Sequence, residues 1–281
     1  YILNLHGEIK VKVIEIKAQT GNSRITVNEP FTRLESYVGD RRAVIITDRN
    51  VREHYEKQFP QWPVVTIGTG EKNKTLRTVE QIYEELVNLE VDRSWFIAGI
   101  GGGIVCDIAG FVASTYMRGL PFGFVSTTLL SQVDASVGGK NGVNFYGFKN
   151  MVGVFNQPEF VICDTKMLCT LSKRELICGF AEVIKHAAIG DPEFFRFLEK
   201  RHADAMELAE DVMERIVYDC VVIKSNVVQK DETEKGERRK LNFGHTFGHA
   251  LEKIIGIPHG EAVSVGMVFA ANLSVRRGMF K

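Results

Sequence analysis

Up to Asp164, short apolar runs alternate with amphipathic stretches, and nothing else restricts the fold as much. The runs include Arg42-Ala-Val-Ile-Ile-Thr-Asp48, Val64-Val-Thr-Ile67, Trp95-Phe-Ile-Ala98, Phe122-Gly-Phe-Val125 and Val161-Ile-Cys-Asp164. Each is strand-length and mostly apolar, with polar residues at some ends, as strands buried on both faces are. Between them, residues 51 to 59 read as helical, and residues 74 to 89 place Leu76, Val79, Ile82, Tyr83, Leu86 and Leu89 at helical spacing. Such alternation predicts a mostly parallel, Rossmann-like sheet with helices on both faces. Ligands bind such sheets beyond the carboxyl ends of the strands. Ahead of it, Val11-Lys-Val-Ile-Glu-Ile16 alternates as a strand and pairs with Arg24-Ile-Thr-Val27 across Thr20-Gly-Asn-Ser23.

Beyond Asp164 the strand signal ends. Ser172-Lys-Arg-Glu175 is a capping-box start, residues 201 to 230 read as one long helical stretch, and Glu234-Lys-Gly-Glu237 breaks it. Two more helices follow, the second running from His259 into Leu273. The expected organisation is an α/β domain over residues 1–165 and an all-α domain over 166–281.

Composition excludes more than it assigns. Lys plus Arg and Asp plus Glu number 35 each, so nothing suggests a nucleic-acid surface, although a local basic pocket stays open. The five cysteines contain no Cys-x-x-Cys pair, and most lie in apolar runs, which fits reduced core residues. No apolar run reaches membrane-spanning length and no signal-peptide pattern opens the sequence, so a cytoplasmic location is the default. The sequence starts at Tyr1, as a trimmed start or a fragment does.

Chemistry concentrates late. In Leu241-Asn-Phe-Gly-His-Thr-Phe-Gly-His-Ala-Leu251, His245 and His249 lie one helical turn apart on one face. His259 follows in His259-Gly-Glu-Ala-Val263. Three of the seven histidines fall within fifteen residues, which suits either a metal or catalytic cluster or histidines that cap and pack. Gly99-Ile-Gly-Gly-Gly103 leads from a strand into a helix with Asp107 near its start. It reads as a phosphate or dinucleotide loop or as a tight turn. Ser126-Thr-Thr128 and Thr69-Gly-Glu-Lys-Asn-Lys74 also end strands, where ligands or solvated turns sit.

Longer motifs narrow these alternatives. Residues 107 to 121 (Asp107-Ile-Ala-Gly-Phe through Met117-Arg-Gly-Leu-Pro121) and 127 to 140 (Thr127-Thr-Leu-Leu-Ser through Val137-Gly-Gly-Lys140) carry the first part of a resemblance. Gly179-Phe-Ala-Glu-Val-Ile-Lys185 and the two histidine motifs carry the rest. Together, in order and from about Asp48 onward, they closely resemble the 3-dehydroquinate synthase family. The resemblance implies an N-terminal NAD-binding domain, a helical metal- and substrate-binding domain and an active site between them. It also implies a cytoplasmic homodimer at the second step of the shikimate pathway. That step converts 3-deoxy-D-arabino-heptulosonate 7-phosphate to 3-dehydroquinate and phosphate, with catalytic NAD+ and a divalent metal, zinc or cobalt.

Position by position, the resemblance implies metal ligation by Glu182, His245 and His259. The implied catalytic groups are His249, Lys185, Asp134, Asn242 and Arg238. Lys140, Asn150, Lys185, Lys224, Arg238, Asn242 and His249 match substrate-binding positions, and Arg118 matches an arginine supplied across the dimer to the substrate phosphate. For NAD the matches are Asp48, Asn50, Gly70, Glu71, Lys74, Gly102, Gly103, Asp107, Thr127, Thr128, Lys140, Lys149 and Thr170.

The sequence departs from the family at Cys106, where glycine is usual, at Asn141, where threonine or serine is usual, and at His186, where tyrosine is common. His186, one turn past Glu182, is expected to pack or to support the site rather than ligate. Family members continue past the position of Lys281 with helices that include a substrate-contacting lysine; without them a hydrophobic helix face is expected to be exposed. Three other readings share these features: 2-deoxy-scyllo-inosose or 2-epi-5-epi-valiolone synthases, metal-dependent polyol dehydrogenases, and a non-catalytic NAD- or zinc-binding subunit. Arg238 with Asn242 favours dehydroquinate synthase, whose substrate carries a carboxylate needing the arginine.

Overall fold

A computed structural model describes residues 11–279. The strands are β1 (Lys12–Ala18), β2 (Gly21–Val27), β3 (Ala43–Asp48), β4 (Val64–Ile67), β5 (Phe96–Gly101), β6 (Phe122–Ser126), β7 (Lys140–Phe145), β8 (Phe148–Phe155) and β9 (Phe160–Cys163). Helices α1 (Leu34–Val38), α2 (Arg49–Tyr55), α3 (Leu76–Asn88) and α4 (Gly103–Thr115) are interleaved with them. Then come α5 (Lys173–Gly190), α6 (Pro192–Met206), α7 (Glu210–Lys230), α8 (His245–Ile255) and α9 (His259–Arg276).

Seven strands form one sheet in the order β1-β2-β9-β6-β5-β3-β4. Only the β1–β2 pair at the edge is antiparallel. Every residue of β5 and β6 is buried, which is why those segments read as unbroken apolar runs. On one face Val44, Ile46, Ile97 and Phe124 pack under α3 and α4; on the other Ile45, Phe96, Ala98 and Ile162 pack with α1 and α2. The first of these cores runs on into α5, α6 and α7 through Val183, Phe194, Ile216 and Val217. The two expected regions therefore share apolar packing where they meet.

Three features differ from the expectation. The stretch from 201 to 230 is two helices, because Leu208 adopts a left-handed conformation (φ 56°) between α6 and α7. The helical stretch from 51 to 59 is shorter: α2 ends at Tyr55 and a single 3₁₀ turn follows. The antiparallel hairpin β7–β8 was not anticipated. It contains glycine and is half exposed, and its one apolar run, residues 151–155, is largely unburied. No helix among the described residues is long and apolar enough to cross a membrane. Ile254 and Ile255 of α8 and Val268 and Phe269 of α9 are exposed.

Candidate active site

Three helices bring the carboxylate and the histidines together. Glu182 lies in the middle of α5, His245 opens α8 and His259 opens α9. The glycines of the histidine motif set the spacing. Gly244 has φ 81°, and a Cβ there would stand 2.7 Å from the backbone nitrogen of Met267. At Gly248 a Cβ would stand 3.1 Å from the carbonyl of Ala262. Helix α8 thus lies directly on α9, which places both imidazoles over Glu182.

Glu182 is fully buried, and neither carboxylate oxygen has a hydrogen bond of normal geometry. Its neighbours are Lys185, one turn on, His259 Nε2 at 3.3 Å and His245 Nε2 at 3.6 Å. Donors held about 2.1 Å from a tetrahedral ion stand roughly 3.4 Å apart, so these spacings fit a divalent metal. The other ring nitrogens point away: His245 Nδ1 lies 3.3 Å from the Phe243 carbonyl and His259 Nδ1 3.5 Å from Glu252. With an ion bound, a donor proton on each Nδ1 would leave each Nε2 lone pair for the metal. Burial opposes ionisation of Glu182, yet the charge of Lys185 and the imidazoles hold it below the usual carboxylate range. Burial likewise opposes charge on His259, but the negative carboxylates of Glu182 and Glu252 on either side of its ring raise it to about 9. Burial depresses His245 and His249. His249 is the more exposed, with its ring 5.2 Å from that of His245.

A buried charge cluster adjoins this trio. Asp134 follows β6 and ion-pairs with Lys224 of α7 and, at 3.5 Å, with Lys185. His186 is wholly buried, with Nε2 3.7 Å from Asp134 and no hydrogen bond on either ring nitrogen. Burial, with the charge of Lys185, drops it to about 3, so it is a neutral imidazole. Lys224 is drawn down to about 8 by burial, against the pull of Asp134. Asp134 itself is held well below its ordinary range: burial opposes this, and Lys185, Lys224 and His186 prevail. Arg238 is 2% exposed, and its guanidinium donates to the carbonyls of Gly138 (2.9 Å) and Glu232. Two carbonyls leave other donors of its five free.

The glycine loop after β5 fits a nucleotide. Gly102 precedes α4 with no side-chain cap, leaving the helix N-terminus open. A Cβ on Gly102 would reach 2.9 Å from the Thr128 side chain, and one on Gly103 2.9 Å from Ala135 Cβ, so these side chains pack too closely on the loop for anything but glycine without a shift. Thr127 donates its N–H to the Gly101 carbonyl at 3.0 Å, while its buried hydroxyl has no partner. Around the loop, Lys74 is buried and pairs with Asp107 and Asn150. Asp48 caps α2 by accepting from Val51 N–H at 3.0 Å, beside the exposed Asn50. Gly70 and Glu71 lie on the exposed loop after β4. The Thr170 hydroxyl, 3.1 Å from that of Tyr55, is at the exposed end of the turn after β9.

Most of the anticipated residues converge in this way, and Arg118 does not. It lies exposed on the turn after α4, at φ 71°, with no ion pair among the described residues. Two carboxylates went unnoticed in the sequence. Glu234, within the segment read only as a helix break, accepts from Lys140 and Asn242. Glu252 lies two turns after His245, an i, i+7 spacing that could have flagged it.

A glycine loop that fits a nucleotide, together with a carboxylate–imidazole trio spaced for a divalent ion, points to the nucleotide-using, metal-assisted enzymes, and the sugar-phosphate cyclases share the fold. A 2-epi-5-epi-valiolone synthase from Streptomyces hygroscopicus subsp. jinggangensis, solved with NAD+ and Zn2+, matches at TM-score 0.85 and 27% identity over 96% of this chain and 79% of that one. A 2-deoxy-scyllo-inosose synthase complexed with carbaglucose-6-phosphate, NAD+ and Co2+ matches at TM-score 0.81 and 26% identity over 96% and 77%. Family models narrow the class: 3-dehydroquinate synthase N-terminal matches residues 64–178, and 3-dehydroquinate synthase C-terminal matches 179–281. A 3-dehydroquinate synthase from Dehalococcoides mccartyi is 42% identical over 99% of this chain and 78% of its own length. The chain belongs to the 3-dehydroquinate synthase family. It is an enzyme, a phosphate-eliminating lyase of the shikimate pathway that forms 3-dehydroquinate.

Proposed function

We propose that Glu182, His245 and His259 hold a divalent metal, zinc or cobalt, and that the loop at Gly102 and Gly103 holds NAD+ with its surrounding residues. Residues 1–165 then form the nucleotide-binding domain, and residues 166–281 supply the metal ligands and most of the substrate contacts. The carrying observation is Glu182, buried without a hydrogen bond and faced by two Nε2 atoms at 3.3 and 3.6 Å. The cyclases solved with NAD+ and Zn2+ or Co2+ support the same cofactor pair. When bound, the metal polarises the substrate's vicinal oxygens and the nicotinamide takes and returns one hydride.

The chain's own residues bind and steer. Lys185, Lys224 and Arg238 form a cationic floor for the carboxylate and phosphate of the substrate, and Lys140, Asn150 and Asn242 close its rim. Arg118 lies outside this cluster and serves the phosphate in the other subunit of a homodimer. His249, neutral near pH 7 because burial lowers it, accepts a proton at the substrate hydroxyl. Asp134 holds Lys185 and Lys224 in place between the nucleotide and substrate. The cytoplasm is the proposed location.

The test is phosphate release from 3-deoxy-D-arabino-heptulosonate 7-phosphate with NAD+ and zinc, followed alongside NADH absorbance. Chelator-sensitive phosphate release with no accumulating NADH is expected. Accumulating NADH would indicate a dehydrogenase instead. Release only from the substrates of the other cyclases would reassign the substrate.

A further inference from the structure

Glu252 joins two parts of this site. It projects from the same face of α8 as His245 and His249, two turns past the first, and its side chain is 12% exposed. One carboxylate oxygen lies 3.5 Å from His259 Nδ1, and the other pairs with Lys149 on the β7–β8 hairpin. Lys149 Nζ is also 3.8 Å from Glu71, on the loop after β4. Asn144 of the hairpin donates to Glu71 at 2.7 Å and accepts from the Asn150 N–H at 2.9 Å. Beside this pair, the Lys253 ammonium sits 4.7 Å from the centre of the Phe148 ring, a second tie between α8 and the hairpin. An unbroken line of polar contacts thus runs from Glu71 through Lys149 and Glu252 to His259 and Glu182.

We propose that Glu252 is a positioning residue that fixes His259 with Nε2 toward the metal and, through Lys149, makes metal and nucleotide binding depend on each other. This rests on the metal and nucleotide reading above. Imidazole ligands whose far nitrogen donates to a carboxylate are held in one tautomer and ring orientation, and the carboxylate strengthens the donor. His259 has that arrangement, with a carboxylate on each side of the ring. His249, Glu252 and His259 also lie close enough to form a ligand set of their own. Each carboxylate also pairs with a lysine, Glu252 with Lys149 and Glu182 with Lys185, but Glu182 is faced by two Nε2 atoms, at 3.3 and 3.6 Å, so the ion is placed on the Glu182 side. The coupling follows from the shared carboxylate. Any shift of Lys149 toward a nucleotide phosphate changes the charge that Glu252 presents to His259.

The experiment measures the affinity of the full chain for Zn2+ by chelator competition, with and without saturating NAD+. It is repeated for Glu252→Gln and Lys149→Met, with Co2+ absorption as a report of ligand geometry. In the parent, NAD+ is expected to tighten Zn2+ binding by about 5-fold or more. Glu252→Gln is expected to weaken Zn2+ by about 10- to 100-fold and to alter the Co2+ spectrum. Lys149→Met frees the Glu252 carboxylate permanently, so it is expected to tighten metal-only Zn2+ binding by about as much as NAD+ does in the parent and to leave no further NAD+ effect. Parent-like Zn2+ affinity and Co2+ spectrum in folded Glu252→Gln would overturn the positioning role alone. A persisting NAD+ effect in Lys149→Met would overturn the coupling, and this variant carries the test if Glu252→Gln does not fold. A parent that binds no metal would overturn this proposal and the metal reading together, which sets that result apart from the others.

Discussion

Asp134 is the most exposed to test of the buried charges, because it faces two lysines at once. Replacing it by asparagine leaves Lys224 and Lys185 without their shared carboxylate in a site where both are buried. Removing one partner of a buried ion pair costs about 3–5 kcal/mol. The lysines can limit that cost by losing a proton. Bringing a lysine from its ordinary pKa of about 10.4 down to neutral pH costs roughly 4–5 kcal/mol, which gives a ceiling of similar size. Lys224 is already at about 8 with Asp134 present, so it is the group that yields. At about 2–4 °C per kcal/mol, the metal- and NAD-free protein should melt roughly 6–20 °C lower as Asp134→Asn. The gap has a pH signature. The pKa of Asp134 is depressed on folding, so its stabilisation is complete above the unfolded value of about 3.9 and fades as pH falls through the lower folded value. On the alkaline side the gap narrows above about pH 8, where folded Lys224 loses its charge and the carboxylate loses that partner. Lys185, raised by Asp134 and Glu182 against the effect of burial, stays charged and keeps part of the gap. Melting curves by circular dichroism from pH 4 to 10 decide the matter. A midpoint within about 2 °C of the parent at pH 7 would show that these charges are not balanced as described.

Other consequences follow from single contacts. His245→Ala should lose both metal and turnover, while His249→Ala should retain metal, measured by elemental analysis, and lose turnover; equal metal loss would mean their roles are wrongly divided. Gly179→Ala should lower the melting midpoint by the equivalent of about 1–3 kcal/mol, because the added Cβ meets Leu129 Cβ at 2.7 Å and Leu130 N at 2.9 Å. Glu232 is buried and accepts from Gln19 N–H (2.8 Å), Thr20 and Gln157 (2.9 Å), while its own carbonyl accepts from Arg238. Burial opposes its ionisation but these hydrogen bonds hold its pKa low, so its contribution is present above about pH 4.3 and lost below. Glu232→Ala should therefore cost about 1–3 kcal/mol at pH 7 and raise KM more than it lowers kcat, with little effect on stability at acid pH.

What the sequence made legible was whatever repeats a local rule. Buried parallel strands are continuous apolar runs, so Val64–Ile67 was readable to the residue. The i, i+4 spacing of His245 and His249 put both on one helix face, where their rings stand 5.2 Å apart. Hidden features depend on distant partners. The hairpin β7–β8 has a glycine-broken apolar run, residues 151–155, that by itself does not mark a strand pair, and the hairpin packs on α4. The break at Leu208 has neither glycine nor proline to announce it. Glu232, Glu234 and Glu252 look like surface glutamates in sequence, and only the fold gives each a buried or bridging task.

The same dependence explains how a chain of zero net charge holds so strongly charged a centre. Within the buried cluster, Lys185 and Lys224 pair with Asp134, Lys185 also pairs with Glu182, and Arg238 donates to backbone carbonyls. The five residues come from four stretches: the turn after β6, helix α5, helix α7 and the turn before α8. Composition averages over the whole surface and so conceals charge concentrated at one place. In a low-dielectric site that concentration matters. Lys224 already has a carboxylate partner in Asp134, whereas, among the described residues, the Arg238 guanidinium hydrogen-bonds only to backbone carbonyls. On the proposed reading of the site, a substrate carboxylate supplies the charge that Arg238 lacks and a neutral polyol does not, so an anionic substrate is favoured by the cost of binding any other.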